Sequence, residues 1–140
     1  MTVTGIGNVV LLVGDLERSR SFYEDVLGLE VVRDEYVNAA IHLGRDGSEL
    51  LSLYEVTSRA PSPRPNSTAY FRVTWTVADL ADLDRVEAGL RAHGGWGGRG
   101  PQNARVTGLG TAYGADPDGN RLEVRWTAQD GRSLSPGDGT

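Results

Sequence analysis

Chemistry in this chain has to come from a short set of side chains. Its 140 residues include no cysteine and two histidines, which removes thiolate catalysis, disulfides and cysteine-ligated zinc or iron together. His42 lies in an alternating stretch, Val37 to Leu43, where it shares parity with Tyr36, Asn38 and Ala40. An imidazole there either serves as a base facing a cavity or fills a strand face. His93 follows Arg91 and Ala92 at a helix end, where an imidazole meets the carbonyl dipole, and its role reads as structural. Neither histidine is arranged by spacing to activate a serine. The run Gly94-Gly-Trp-Gly-Gly-Arg-Gly100 lacks the following helix and the Lys-Ser or Lys-Thr pair of a phosphate loop.

The aromatic residues divide into two groups. Trp75 shares a face with Val73 and Val77, and Trp126 with Leu122 and Val124, which is the pattern of core tryptophans. Trp96, in the glycine-rich stretch, reads as a loop residue that is either a lid beside a cavity or a subunit contact. Tyr36, Tyr54 and Tyr113 stand on strand-like segments from which they can line a cavity.

The elements that position these residues are announced by a repeat. Asn8-Val-Val-Leu-Leu-Val-Gly-Asp15-Leu16 recurs 64 residues later as Arg72-Val-Thr-Trp-Thr-Val-Ala-Asp79-Leu80. Each copy is an alternating strand running into an Asp-Leu helix start, so two similar modules are expected, with a ligand cavity where their sheets meet. Apolar residues on both parities of the first strand predict that both its faces are covered. Asp15 and Asp79 read as N-caps, and Gly28 and Gly94 as the residues that stop the two helices. Strand-like segments follow at Leu29 to Arg33, Val37 to Leu43 and Leu50 to Tyr54, with a turn at Gly44-Arg45-Asp46-Gly47. Asp116-Pro117-Asp118-Gly119 is the matching turn of the second module, before a strand from Arg121 to Trp126.

The length suits one domain, expected over 1–128, with module one at 4–56, a proline-rich linker at 57–68, module two at 69–128 and a flexible tail at 129–140. A net charge of −5 with scattered arginines argues against nucleic-acid binding. No apolar run approaches the roughly 20 residues of a membrane span, and the start of the chain has no basic region followed by an apolar stretch, so a cytoplasmic location is expected.

The run Asp15-Leu-Glu-Arg-Ser-Arg-Ser-Phe-Tyr-Glu-Asp-Val-Leu-Gly-Leu29 and the run Asp116-Pro-Asp-Gly-Asn-Arg-Leu-Glu123 together resemble the vicinal oxygen chelate superfamily. That superfamily includes glyoxalase I, extradiol dioxygenases, fosfomycin-resistance transferases and bleomycin-resistance binding proteins. The resemblance implies an α+β fold of two βαβββ modules in tandem, their sheets curled into a cup, in a homodimer. It also implies that the metal positions of metal-using members fall here on Asn8, Ser52, Arg72 and Glu123. Only Glu123 is a good ligand: Asn8 offers a weak carbonyl oxygen, Ser52 a neutral hydroxyl and Arg72 a permanent positive charge. Arg72 and Glu123 are therefore expected to pair in that space, the alternative being that both face solvent at a rim.

From the loss of three ligand positions follows an expectation of a metal-free, non-catalytic protein of the bleomycin-resistance type. It would need no cofactor and would sequester an aromatic or polycyclic antibiotic or natural product through Asn8, Tyr36, Asn38, His42, Ser52, Tyr54, Arg72, Thr74, Trp96, Tyr113 and Glu123. The alternative is a lyase, isomerase or cyclase of glyoxalase or dioxygenase character, metal-free or with atypical ligands, using Glu123 or His42 as base.

Overall fold

A computed structural model describes residues 2–56 and 71–128, so the expected linker and tail lie outside the described residues. Backbone contacts divide the chain into two compact units, Met1–Thr68 and Ala69–Thr140. The first contains β1 (Val9–Val13), α1 (Leu16–Leu27), β2 (Glu30–Glu35), a 3-10 turn (Tyr36–Asn38), β3 (Ala40–Arg45) and β4 (Ser48–Glu55). The second contains β5 (Arg72–Val77), α2 (Ala81–Ala92), β6 (Trp96–Gly100), a short α3 (Ala104–Thr107), β7 (Leu109–Ala115) and β8 (Arg121–Thr127). Each unit forms an open four-stranded sheet, ordered β1-β4-β3-β2 and β5-β8-β7-β6. In each sheet the first strand runs parallel to the last and the other pairs are antiparallel. The expected tandem βαβββ architecture is thus present.

Local chemistry explains α1. Asp15 is extended and its carboxylate accepts from the Arg18 amide at 3.0 Å. Gly28 closes the helix in the left-handed region at φ 66°, where a side chain would be strained. Leu16, Phe22, Tyr23 and Val26 then bury the face that meets the sheet. The second helix departs from its copy: Leu80, not Asp79, is the residue before Ala81, and it is already helical at φ −59°. Asp79 still caps, its carboxylate accepting from the Ala81 amide at 3.1 Å and its carbonyl from Asp82 at 3.0 Å.

One face of each sheet carries the core. Leu11, Val13, Ile41, Leu43, Leu51 and Leu53 are almost fully buried on the α1 side of the first sheet. Val10 and Leu12, on the opposite parity, are 53% and 61% exposed, so the expectation that both faces of β1 are covered fails there. In the second sheet Ala112, Leu122 and Val124 are buried on the α2 side. Gly114 belongs to that side too: a Cβ at this position would lie 2.6 Å from Leu90 Cδ2 and 2.7 Å from the Gly95 carbonyl oxygen. Gly114→Ala is expected to cost about 1–2 kcal/mol, as an added methyl forces a packed contact apart. Urea unfolding checks this, and an unchanged midpoint would mean that α2 is not seated on β7.

Two turns set the strands that bear polar residues. Asp46 and Gly47 link β3 to β4 with φ of 52° and 80°, the two-residue hairpin geometry that Asp-Gly favours. Asp116 is 5% exposed, and its carboxylate accepts from the amides of Asp118 at 2.9 Å and Asn120 at 2.8 Å, and from Asn120 Nδ2 at 2.9 Å. That network fixes the entry to β8.

Candidate functional site

In each unit the face turned away from the helix gathers polar side chains. On the first, cross-strand register places His42 opposite Ser52 on β4 and opposite Arg33 on β2. Ser52 Oγ lies 2.7 Å from His42 Nδ1 and accepts from Asn8 Nδ2 at 2.7 Å. The Ser52 hydroxyl, with one donor and two acceptor sites, thus bridges Asn8 and His42 Nδ1. His42 is 3% exposed, and Nε2 has no hydrogen-bond partner among the described residues. The nearest charge is Glu35 Oε2 at 3.5 Å. Sequence spacing suggested no serine near a histidine with a carboxylate beyond it, yet Ser52, His42 and Glu35 form that order.

Arg33 ties down the surrounding carboxylates: its guanidinium pairs with Glu35 and its Nε donates to Glu49 Oε1 at 2.9 Å. Glu49 Oε2 lies 3.7 Å from His42 Nδ1. The hydrogen bond from Arg33 holds the Glu49 carboxyl below its ordinary value, against the opposing pull of desolvation, with the charges of Arg33 and His42 adding to the lowering. A depressed folded-state value contributes stability above the ordinary glutamate range, near about pH 4.3, which is lost as pH falls through the lower folded value. Glu49→Gln is therefore expected to lower Tm slightly at neutral pH, where wild type holds that contribution, and to converge with wild type as pH falls, flattening the acid side of its Tm-versus-pH curve. A variant curve parallel to wild type at low pH would refute the linkage.

Sequence reading missed Arg33, Glu35 and Glu49 because two bulges intervene. The β3–β4 register shifts between Leu43 and Gly44, leaving Leu50 as an extra residue and returning Glu49 to the Ser52 face. A similar shift at Val32 separates Val31 from Arg33. Strict period-two counting assigns Glu49 to the face of Leu51 and Leu53. Tyr36 and Asn38 require the opposite correction. They lie in the 3-10 turn before Ala39, whose φ of 52° breaks the expected parity with His42. The Tyr36 hydroxyl instead donates to Glu17 Oε1 of α1 at 3.0 Å, which raises the phenol's pKa. Tyr54 does reach the site, its ring centroid 6.1 Å from that of His42 and nearly perpendicular to it.

On the second unit's open face, Glu123 is 2% exposed. Its Oε2 lies 2.9 Å from Arg72 Nη2 and accepts from Thr74 Oγ1 at 3.3 Å, and its Oε1 accepts from Arg125 Nη2 at 2.9 Å. The expected Arg72–Glu123 pair is present, with Arg125 as a second cation that sequence reading missed although period two places it on Glu123's face. Tyr113 stands opposite Glu123 in register and is 41% exposed. Trp96 is not on a loop: it opens β6 opposite Gly114, on the α2 side, with the Arg91 guanidinium 4.9 Å over its ring.

The described residues contain no group of three or more His, Cys, Asp or Glu placed to hold a metal ion. The positions matching metal ligands of the resembled family do not fit a divalent cation in this arrangement. Both Glu123 oxygens carry donors, Arg72 is itself a cation, and Asn8 and Ser52 are bonded to each other. Nor do Glu35, His42 and Glu49 converge on one point, since the carboxylates approach different imidazole nitrogens and Arg33 lies on both.

Residues 5–124 match the profile of the Glyoxalase/Bleomycin resistance protein/Dioxygenase superfamily. The chain belongs to that superfamily. It is 34% identical over 123 residues to the lactoylglutathione lyase of Haemophilus influenzae, covering 83% of this chain and 87% of the relative. It is 31% identical over 122 residues to the catechol-2,3-dioxygenase of Bacillus subtilis, covering 86% of this chain but only 41% of that longer protein. Solved structures share the fold. The fosfomycin resistance protein FosX of Listeria monocytogenes superposes with TM-score 0.69 at 14% identity, covering 94% and 99% of the two chains. A lactoylglutathione lyase from Agrobacterium tumefaciens does so with TM-score 0.62 at 22% identity, covering 89% and 95%. Members named as enzymes overturn the expectation of a metal-free sequestering protein for antibiotics, which rested on missing ligand positions alone. No described helix is long and apolar enough to cross a membrane.

Proposed function

We propose that the chain is an enzyme of lyase or isomerase type, which moves a proton on a small organic substrate with His42 as the acid–base group. The observation that carries this reading is the state of His42. One ring nitrogen is pinned by Ser52, and the other is buried without a hydrogen-bond partner among the described residues. A buried unsatisfied polar nitrogen costs about 1–3 kcal/mol, and its retention beside a carboxylate at 3.5 Å suits a group whose partner arrives with substrate. Ser52 and Asn8 fix the ring's orientation, which leaves Nε2 as the nitrogen nearest Glu35. Glu35 and Arg33, both partly exposed, are the groups a substrate meets first, and displacing their pair uncovers Nε2.

The relatives' names direct the first assays, towards lactoylglutathione chemistry on one side and dioxygen consumption with catechol on the other. Turnover of a proton-transfer substrate with incorporation of solvent deuterium supports the proposal. Dioxygen consumption without such exchange would replace it with the dioxygenase reading. The same proposal takes residues 1–128 as one working domain, in a cytoplasmic homodimer. Light scattering at working concentration tests the assembly, and a monomeric mass would remove the dimer from the proposal.

A further inference from the structure

A groove of about 530 Å³ lies on the helix side of the second sheet, between α2, the end of β6 and α3. A single side of the sheet builds it. Trp96 and Arg99 stand opposite Gly114 and Ala112 in register, and both of those lie under α2. A Cβ on Gly110 would meet Leu83 Cδ1, Leu80 Cδ1 and Ala104 Cβ within 3.2 Å, so α3 and the start of α2 pack on that same side of β7. Glu87 and Arg91, four residues apart on α2, turn one helix face to the groove. We propose that this groove binds a small molecule made of a planar ring and one oxyanion, a carboxylate or a phosphate.

The charges around the groove leave one guanidinium over. Arg91 Nε is 3.0 Å from Glu87 Oε2, while Arg99 pairs with Asp84 and lies 3.6 Å from Glu87 Oε1. Two cations therefore face two carboxylates and cancel. Arg105, exposed on α3, lines the same groove and forms no ion pair or hydrogen bond among the described residues. Its charge is the one an incoming anion meets, and its planar fork matches carboxylate and phosphate oxygens. Trp96 and Arg91 supply the place for a ring. The Arg91 guanidinium lies 4.9 Å from the centroid of the indole, and its side chain is 58% exposed, so the flat ion offers its outer face to a second ring. Val106, exposed beside Arg105, adds apolar contact, and the side-chain amides of Gln102 and Asn103 can donate to or accept from groups on the ring. The volume falls within the range of ligand pockets and admits a molecule of one or two rings.

Binding at this groove is separate from the proposed proton transfer at His42 and is measured without turnover. Isothermal titration of the full chain at fixed ionic strength would compare naphthoate and adenosine monophosphate with uncharged naphthalenemethanol and adenosine, and with inorganic phosphate. One-to-one binding of at least one of the two ring anions is expected, about tenfold or more tighter than its uncharged counterpart and than phosphate alone. Preference between the two identifies the anion as carboxylate or phosphate in type. Arg105→Gln is expected to weaken that binding about three- to tenfold. Arg91→Lys, which keeps the charge beside Glu87 but removes the flat fork, is expected to weaken it by a similar factor, and both variants should keep the wild-type Tm. Tyr113→Phe, on the opposite face of the sheet, should bind as wild type does. Equal affinity for charged and uncharged rings, wild-type affinity in Arg105→Gln, a loss in Tyr113→Phe instead, or no binding of either ring anion would overturn the proposal.

Discussion

His42→Gln is expected to lower kcat by about 10²–10⁴-fold, the span general acid–base catalysis contributes, while the protein stays folded. Glutamine is chosen over alanine for a physical reason. His42 fills a buried position opposite Ser52, and truncation would leave that hydroxyl without its histidine partner and open a void beside Tyr54. A glutamine amide is close in length and keeps an oxygen able to accept from Ser52, but it cannot take up a proton at neutral pH. Loss of turnover with KM and Tm near wild type assigns His42 to the chemical step. Loss of solvent-deuterium exchange in the same variant separates proton transfer from a positioning role. Full activity in His42→Gln would sink the mechanism and return Glu35, the nearest carboxylate, as the candidate base.

Which parts of this arrangement the sequence discloses depends on whether a side chain obeys simple periodicity. The Asp15 cap, the Gly28 stop and the 64-residue repeat predict two similar strand-to-helix modules correctly, and the family resemblance completes each as βαβββ. The Arg72–Glu123 pair was legible through the family resemblance, which puts both residues at positions that converge on one metal, and the uninterrupted register of β5 and β8 from Arg72 to Val77 keeps them together. Arg33, Glu35 and Glu49 were not legible, since no glycine announces the bulge at Val32 and the one at Leu50 is marked only by Gly44 on the facing strand, a residue that reads as part of the turn. Trp96 misled for the opposite reason, as glycines that suggest a loop form an edge strand whose tryptophan stacks under Arg91. Function failed at a different level. Missing metal ligands describe one way of doing chemistry, and their loss favoured a sequestering protein over the lyase, isomerase or cyclase alternative. The relatives named as enzymes and the buried His42 point the other way.

Glu123→Ala is expected to destabilise the protein by about 3 kcal/mol, several times more than Arg72→Ala. Removing one partner of a fully buried ion pair costs about 3–5 kcal/mol, because the remaining charge is left uncompensated. Here the burial is one-sided: Glu123 is 2% exposed, but the Arg72 and Arg125 side chains are 36% and 43% exposed, so water screens part of their charge and the lower end of that range applies. In Glu123→Ala two guanidiniums lose their common acceptor, and the Arg125 Nε, already buried without a partner among the described residues, lies next to a void. In Arg72→Ala the carboxylate keeps Arg125 and Thr74, so a cost of about 1 kcal/mol is expected. Glu123→Gln discriminates charge from shape, since it preserves the side chain's volume while removing the negative charge that holds both arginines. Its stability should lie between those of the two alanine variants. Urea unfolding of the three proteins measures the order directly. If Arg72→Ala proves as destabilising as Glu123→Ala, the arginine rather than the carboxylate anchors the cluster, and the sheet face is organised around Arg72's own packing.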